Sequence, residues 1–600
     1  MQVASTIPAM FLDVCTRYEG NTTKVVYGRK VQGAWSTITH DELRDHVECF
    51  AMGLMHRGFA QGQRIGIVSE NRVEWAIADF AITAMGAVDV PIFPTLTPAQ
   101  ESYIFNDCQA SCVIVSNALQ LSKIQKVWDE IPSLRLVIVM NDDVQPSERV
   151  VRFSDVIREG RDVMPAQERR TTFATMAANV QPSDLLTLIY TSGTTGNPKG
   201  VMLTHSNLMS NIAGSLEVID ITESDVFLSY LPMCHSYERM TGYYFAFCVG
   251  AATYIAESIE TVAENMREVR PTVMTSVPRL FERIKMRVEG NVAKESALKQ
   301  RIFAWAFAVG KARAAGASSA AVSLQYKLAD KLVFSKIRER TGGRLRFFAS
   351  GGAALSVEVG TFFDAIGLVI LEGYGLTETS PVLTFNREGE QELGTVGTPI
   401  PNVEIRIASD GEIMAKGPNI MKGYWNDEEA TREALTPDGW LHTGDIGMFN
   451  DRGHLVITDR KKHILVSSGG KNIAPQPIES LLTASLLIDQ ALLIGDQREF
   501  CTALIVPERE ACEAWAKQHG HTFGSWESLV ASDELYKAIQ RDVQQLQRDL
   551  SKFERVRRFR LIPTPFSVEN GLLTPTLKIK RKVVVQQYAD VIETMYEEVV

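Results

Sequence analysis

The chain has 600 residues, of which 45% are apolar and 22% charged, with a formal net charge of −10. That length implies about three or four structural units rather than one, and the composition is that of a globular chain able to bury a sizeable core. The negative balance excludes a nucleic-acid binder that works through a basic face.

Eight cysteines include no CxxC pair. Cys108 and Cys112 stand closest and lack partners for a zinc set, so reduced, buried thiols in a cytoplasmic protein are expected. The first ten residues, MQVASTIPAM, lack the basic start and apolar stretch of a secretory signal. The longest apolar run, Tyr243–Ala256, is too short to span a bilayer and is broken by Gly250 and Thr253, so it reads as a buried segment. The final Glu597-Glu598-Val599-Val600 carries no peroxisomal or retention signal.

Residues 35–140 alternate helix and strand patterns. Thr39 and Glu42 form a capping-box pair ahead of a helix in which Leu43, Val47, Phe50, Leu54 and Met55 recur at helical spacing, and Gly58 ends it. Ile65–Val68 reads as a strand, Arg72–Met85 as a helix, and Ala87–Phe93 as a strand stopped by Pro94; Val113–Val115 and Leu136–Val139 are further strands. Strands separated by helices in this rhythm imply βαβ units and a parallel sheet. After the apolar run Leu185–Tyr190 comes Tyr190–Val201, YTSGTTGNPKGV. Gly193, Gly196 and Gly200 let a loop turn its N–H groups inward, and Thr191, Ser192, Thr194, Thr195 and Lys199 add donors and charge. By composition this is a phosphate cradle, although its spacing is not the Walker pattern, and a polar linker is the alternative.

Residues 280–340 are rich in Ala, Lys and Arg and read as two or three amphipathic helices. They form either a helical layer over the sheet or a basic surface that touches anionic lipid. Leu345–Ser350 and Leu368–Leu371 are short apolar runs that lead into the glycine-bearing loops 350–355 and 372–379. In parallel sheets ligands sit at the carboxyl ends of strands, so these two loops and the one at 190 would converge on one site. From about 400 the pattern becomes hairpins, Val403–Ile407 with Glu412–Ala415 around Asp410-Gly411, then Leu455–Thr458 after Asp451-Arg452-Gly453. The last 140 residues hold the strands Ala491–Ile494 and Thr502–Val506 and a long helix with Leu535, Ile539, Val543, Leu546 and Leu550 on one face. A strand near 556–562 and a basic tail, LKIKRK at 577–582, follow.

Taken together, YTSGTTGNPKG, LPMCH (231–235), SGGAAL (350–355), GYGLTETSP (373–381), WLHTGDIG (440–447), DRKKHILVSSGGKNIAP (459–475) and PTLKIKR (575–581) resemble, in order, the adenylate-forming superfamily of acyl-CoA synthetases, luciferases and adenylation domains. Ala329–Leu355 is similar to the long-chain fatty-acyl-CoA synthetases in particular. The resemblance implies an α/β fold. A large N-terminal domain, 1–459, would hold parallel and mixed sheets layered with helices plus a β-subdomain, and a small mobile α+β C-terminal domain, 460–600, would follow. It implies a ligase that turns a long-chain fatty acid and ATP into an acyl-adenylate and pyrophosphate, then passes the acyl group to the thiol of CoA. The alternative is a fatty-acyl-AMP ligase that loads a separate carrier protein.

By the same resemblance Thr191–Lys199 would wrap the β- and γ-phosphates. Glu378 would hold Mg²⁺ with Thr194 as a partner, and Thr377 would bind the α-phosphate. Gly351 and Gly352 would let the adenine lie against backbone with Tyr374 as its aromatic face, Glu372, Gly373 and Gly375 would join them in binding the nucleotide, and Asp445 helped by Arg460 would take the ribose. Lys578 would place its ammonium between carboxylate and α-phosphate, and His235 would stand beside the acyl carboxyl. Lys462 would be both a nucleotide neighbour and the pivot of the C-terminal domain, bringing Gly469, Gly470 and Lys471 to CoA in the second half-reaction. Val466 stands where some relatives carry a nucleotide-contacting lysine, so that contact is not carried over. Expected partners are a fatty acid, ATP and CoA and no nucleic acid; a homodimer and peripheral contact with a membrane are compatible with the sequence.

Overall fold

The computed structural model describes residues 3–191, 197–317, 319–461, 464–469, 471–574 and 578–597. Two large sheets dominate. In the first, Arg64–Val68, Val88–Ile92, Cys112–Val115, Leu136–Val139 and Val150–Arg152 run parallel, and Val88–Ile92 extends the parallel order to Leu185–Thr191. Lys199–Thr204 and Gly423–Tyr424 add antiparallel strands at that edge, for eight in all. Ile65, Ile67 and Ile114 bury on one face, Val68, Val113 and Val115 on the other. Burial on both faces is why these strands read as unbroken apolar runs.

The second sheet has nine strands. Its parallel centre is Ala252–Ile255, Val226–Ser229, Val273–Ser276, Phe347–Ser350 and Val369–Gly375. Val382–Phe385 and Thr398–Pro399 are added antiparallel at one end; at the other, Val25–Val31 pairs parallel with Ala252–Ile255 and antiparallel with Ala34–Thr39. A four-stranded antiparallel sheet follows, Glu404–Ile407, Glu412–Lys416, Leu441–Phe449 and Leu455–Arg460. The last part of the chain builds its own three-stranded sheet, Ile488–Ile494, Cys501–Pro507 and Val556–Leu561. Ala491, Leu493, Ala503 and Ile505 face the helices Pro475–Leu482 and Asp533–Leu546, while Leu492, Ile494, Leu504 and Val506 face Ala589–Glu597.

The capping box forms as read: the Thr39 N–H donates to Glu42 Oε2 at 2.7 Å at the head of helix His40–His56. Leu43, Val47, Phe50 and Leu54 are buried, but Met55, one residue and about 100° further round, is exposed. Helix Asp533–Leu546 stops short of Leu550, which is extended after a tight turn at Gln547–Asp549. The strand expected to end at Leu371 continues to Gly375, because Gly373–Gly375 pair with Val382–Phe385. All eight cysteines are free and buried. Tyr243–Ala256 is largely buried: it continues a π-helical segment, Arg239–Phe245, into a short helix, Ala246–Val249, and turns at Gly250 into the strand Ala252–Ile255. At Gly250 φ is +81° and a Cβ would lie 2.1 Å from the Tyr18 hydroxyl, so only glycine fits.

Consecutive residues at the start of that segment each hold one of the two sheets. Glu238 Oε1 accepts from the Ser229 hydroxyl at 2.6 Å and Oε2 from the Thr275 hydroxyl, both on the nine-stranded sheet. Arg239 reaches the other sheet. Its Nη1 donates to the Thr187 hydroxyl at 2.9 Å and its Nη2 to Asp79 Oδ1 at 2.5 Å, with Asp89 Oδ2 2.6 Å away as an ion contact. The Tyr243 and Tyr244 hydroxyls complete the shell of Asp79. Two carboxylates then share one guanidinium in full burial. Desolvation, opposed by Arg239 and reinforced by Asp79, pushes Asp89 up to about 8.

Removing the one cation leaves buried charge uncompensated, so Arg239→Met is expected to destabilise the protein by about 3–5 kcal/mol in urea unfolding. The unfolded chain releases the Asp89 proton near pH 4 and the folded protein near pH 8, so this group costs stability increasingly as pH rises between those values. Asp89→Asn removes that dependence, and its stability relative to the parent should improve from pH 5 to pH 8 in the same assay.

Candidate active site

One large cavity, about 1560 Å³, opens where the carboxyl ends of the parallel strands meet the four-stranded sheet and the C-terminal part of the chain. The three glycine-bearing loops do converge: Thr191, Ser350–Ser356 and Gly373–Glu378 all line it. So do His235, Lys199, Asp445, Arg460 and Lys578. Ser192, Gly193, Thr194, Thr195 and Gly196 lie outside the described residues, as do Lys462 and Gly470. Gly469 and Lys471 are described but do not form part of the cavity wall; the Lys471 N–H instead donates to Ser467 Oγ at 3.0 Å in a small hairpin, Leu465–Val466 with Asn472–Ile473.

The polar end is built around two carboxylates. Asp445 lies on strand Leu441–Phe449 and is almost fully buried. The Tyr374 hydroxyl donates to its Oδ2 at 2.7 Å and Arg460 Nε to its Oδ1 at 2.8 Å. The second partner follows from register, since Asp445 and Arg460 pair directly across neighbouring strands. Glu378 accepts a hydrogen bond from the Tyr424 hydroxyl at 2.9 Å, and Lys199 sits 5.4 Å above the Tyr424 ring and 3.4 Å from Asp427. Tyr424 escapes sequence reading because its strand is two residues long; the aromatic pair Tyr424-Trp425 after Gly423 is the only signal. Thr377 pairs with the Ser236 hydroxyl at 3.1 Å, a second contact with no prior signal. Glu372 is buried with the Leu355 N–H as donor, and burial pushes its carboxyl up to about 7.

Among the glycines, Gly352 has φ +79° and needs its freedom, whereas at Gly351 a Cβ would press on the Tyr237 ring at 3.0 Å. The Tyr237 hydroxyl donates to the Ala349 carbonyl at 2.9 Å, fixing that ring under the loop. At Gly375 a Cβ would stand 1.7 Å from the Pro381 carbonyl oxygen, which keeps the turn tight.

His235 stands where the cavity changes character. Beyond it an apolar limb is lined by Ile219, Ile221, Phe227, Met240, Phe245 and Phe347. The Tyr237 N–H donates to His235 Nδ1 at 3.2 Å, so the neutral ring carries its proton on Nε2. Desolvation, with Lys578 nearby, lowers His235 to about 4. Lys578 is itself lowered, by burial first and Arg460 second, against the pull of Asp445 and Glu378. Its side chain remains accessible to the cavity, and its backbone is held by Thr574, whose N–H donates to the Lys578 carbonyl at 2.8 Å. The structure thus brings Lys578, from the end of the chain, into the field of His235, Glu378, Asp445 and Arg460.

The AMP-binding enzyme family matches residues 11–425, and the C-terminal domain of AMP-binding enzymes matches residues 462–600. The chain is 37% identical to the long-chain-fatty-acid–CoA ligase FadD15 of Mycobacterium bovis, covering 95% of this chain and 94% of the relative. It is 35% identical to the peroxisomal long chain acyl-CoA synthetase 7 of Arabidopsis thaliana, over 94% and 82%, and 32% identical to human long-chain-fatty-acid–CoA ligase 1, over 97% and 87%. Its fold is similar to that of the anthranilate CoA ligase AuaEII with anthranoyl-AMP, with a TM-score of 0.72 at 20% identity over 98% of each chain. It is similar also to the adenylation domain of a carboxylate reductase from Mycobacterium chelonae, with a TM-score of 0.78 at 23% identity over 99% of this chain and 91% of that one.

A histidine with its folded-state value near 4 and its unfolded value near 6.5 takes up its proton only on unfolding, so His235 subtracts stability as pH falls between those values. The expected observation is a His235 ring resonance, assigned through His235→Asn, that does not titrate between pH 5 and pH 8.

Proposed function

The chain belongs to the family of AMP-binding enzymes, and from that premise we infer that it is a long-chain fatty-acid–CoA ligase. The observation that carries the reading is the single cavity in which Glu378, Asp445, Arg460 and Lys578 meet an apolar limb at His235. A fatty carboxylate oxygen attacks the α-phosphorus of ATP, a new P–O bond forms, the bond to pyrophosphate breaks, and the acyl-adenylate remains. The CoA thiolate then attacks the acyl carbonyl, and AMP leaves.

The first half-reaction brings two anions together, so its demand is fixed positive charge and donors. Lys578 supplies an ammonium facing the join of the polar and apolar parts, and His235 Nε2–H is oriented to hold the substrate carboxylate. Thr377 binds the α-phosphate; Lys199, with the loop Thr191–Gly196, takes the departing pyrophosphate. Asp445, with Arg460 beside it, accepts hydrogen bonds from the ribose hydroxyls, and Gly351, Gly352 and Glu372–Gly375 form the adenine wall. Mg²⁺ neutralises phosphate charge when bound. Among the described residues no cluster of three metal-ligating acids or histidines exists, but Mg²⁺ needs only one or two protein carboxylates beside substrate phosphates. Glu378, one oxygen of which is engaged by Tyr424, fits that need, and Thr194 is its proposed companion.

The division of labour along the chain is part of the same reading. Residues 1–459 form the large domain and 460–600 the small one, turning about Lys462 between half-reactions. The family boundaries at 425 and 462 support it, as does the separate core of the three-stranded sheet. With Lys578 inside the cavity, Gly469 and Lys471 are held away from it; the turned arrangement would bring them, with Gly470, to CoA.

Incubation with ATP, palmitate and CoA should yield palmitoyl-CoA and AMP; adenylate without thioester would favour loading of a carrier protein instead. Lys578→Ala should slow adenylation about 10²–10³-fold in pyrophosphate exchange, while thioester formation from supplied palmitoyl-AMP is largely retained. Equal loss of both steps would refute the role given to Lys578.

A further inference from the structure

The helical layer between the central strands Val273–Ser276 and Phe347–Ser350 of the nine-stranded sheet has an outer face that the fold does not use. Helix Ala297–Ala314 and helix Ala320–Ala329, which continues through a wider turn, Asp330–Phe334, into Ser335–Glu339, lie against each other as a hairpin. The inner side is anchored. Ala306, Ala329 and Phe334 are fully buried, and a Cβ at Gly310 would stand 2.3 Å from the Ala365 carbonyl oxygen, so the first helix rests directly on backbone. The outer side keeps Leu298, Leu324, Leu328 and Leu332 at 68%, 72%, 50% and 44% exposure. The last three recur every fourth residue, which places them in one stripe along the second helix. Lys327 and Lys331 stand beside that stripe, both exposed and without an ion pair among the described residues.

Charge separates this region from the rest of the chain. Residues 279–340 contain fourteen lysines and arginines against five acidic residues, in a protein whose net charge is −10. A stripe of leucine bordered by lysine is the pattern of a helix that lies in a membrane interface, its apolar side chains among acyl tails and its ammonium groups at anionic headgroups. A protein partner of ordinary composition would need acidic residues placed to match; an anionic bilayer supplies both the charge and the apolar layer. The hairpin also leads through 340–346 into strand Phe347–Ser350, whose first residue lines the apolar limb of the cavity.

We propose that the outer face of the hairpin 297–339 is a docking surface for anionic phospholipid bilayers, with Leu324, Leu328 and Leu332 entering the interface and Lys327 and Lys331 facing headgroups. The surface alone carries this assignment, and binding is measured without turnover, so its failure would leave the ligase reading intact.

The test is cosedimentation of the full chain with extruded vesicles of phosphatidylcholine alone and of phosphatidylcholine with 30% phosphatidylglycerol, at 50 and 500 mM salt. Expected is binding to the anionic vesicles that weakens at high salt and is at least tenfold weaker to neutral ones. Leu324→Glu/Leu328→Glu should lower anionic-vesicle binding at least tenfold. Lys327→Gln/Lys331→Gln should lower it severalfold and flatten the salt dependence. Both double variants should keep the parent's unfolding midpoint and its rate with albumin-delivered palmitate, since these side chains touch neither core nor cavity. No binding to anionic vesicles, or binding unchanged in both double variants, would overturn the proposal. So would a concentration-dependent dimer in light scattering that Leu324→Glu/Leu328→Glu dissolves while vesicle binding persists, since the face would then belong to a second copy of the chain.

Discussion

Two adjacent residues, Glu238 and Arg239, fix the relation between the two large sheets, and the active site inherits that relation. Each reaches into a different sheet, and each is fully buried. Parting Arg239 from Asp79 and Asp89 would leave buried charge uncompensated at a cost of several kcal/mol, and parting Glu238 from Ser229 and Thr275 would leave buried polar groups unpaired, so neither contact is readily given up to let the sheets slide or part. The Arg239 N–H also donates to the His235 carbonyl at 2.9 Å, and the same segment supplies Tyr237 and Met240 to the cavity. The place where carboxylate and phosphate are to meet is therefore set by buried electrostatics in the scaffold, with loops only finishing the walls.

That arrangement explains how the cavity keeps two chemistries apart. The apolar lining residues share the cavity with a histidine that burial keeps neutral, so this side chain brings no charge to the path of an alkyl chain. On the other side Asp445 and Arg460 are placed by strand register, Glu378 by a single helical turn, Thr377–Thr379, after a strand, and Lys578 by its backbone bonds to Thr574 and the bridge of its neighbour Ile579 to Leu573. Groups on regular elements keep their geometry when ligands come and go, which suits a site that must serve two successive reactions on one adenylate.

The parallel sheets were legible because strands buried on both faces leave apolar runs too short for helices, and three of those runs lead into glycine-bearing loops. The convergence of three loops followed from one general property of such sheets, that ligands collect at their carboxyl ends. The buried ions were not legible. In the run His235-Ser236-Tyr237-Glu238-Arg239 the acid and base look like any solvated pair, and only the fold shows that they point into opposite sheets. Tyr424 and Ser236 were missed for a related reason: their partners, Glu378 and Thr377, are more than forty residues away in sequence. Leu550 was misplaced because its spacing continues the helical period after the backbone has left it, and Met55 because it directly follows the last buried position.

The closeness of Arg460 and Lys578 has a mechanical consequence. Two cations share the mouth of one cleft, and each makes the other less welcome there. Asp445 and Glu378 offset part of that repulsion, but an incoming nucleotide adds more negative charge and draws both cations inward. Departure of pyrophosphate takes much of that charge away while the adenylate stays. On the proposed reading the closed arrangement would then be held by less than what assembled it, and the end of the chain would be freed to turn outward. Such a cleft would work as an anion-operated latch, in which the leaving group of one step releases the part that the next step must move.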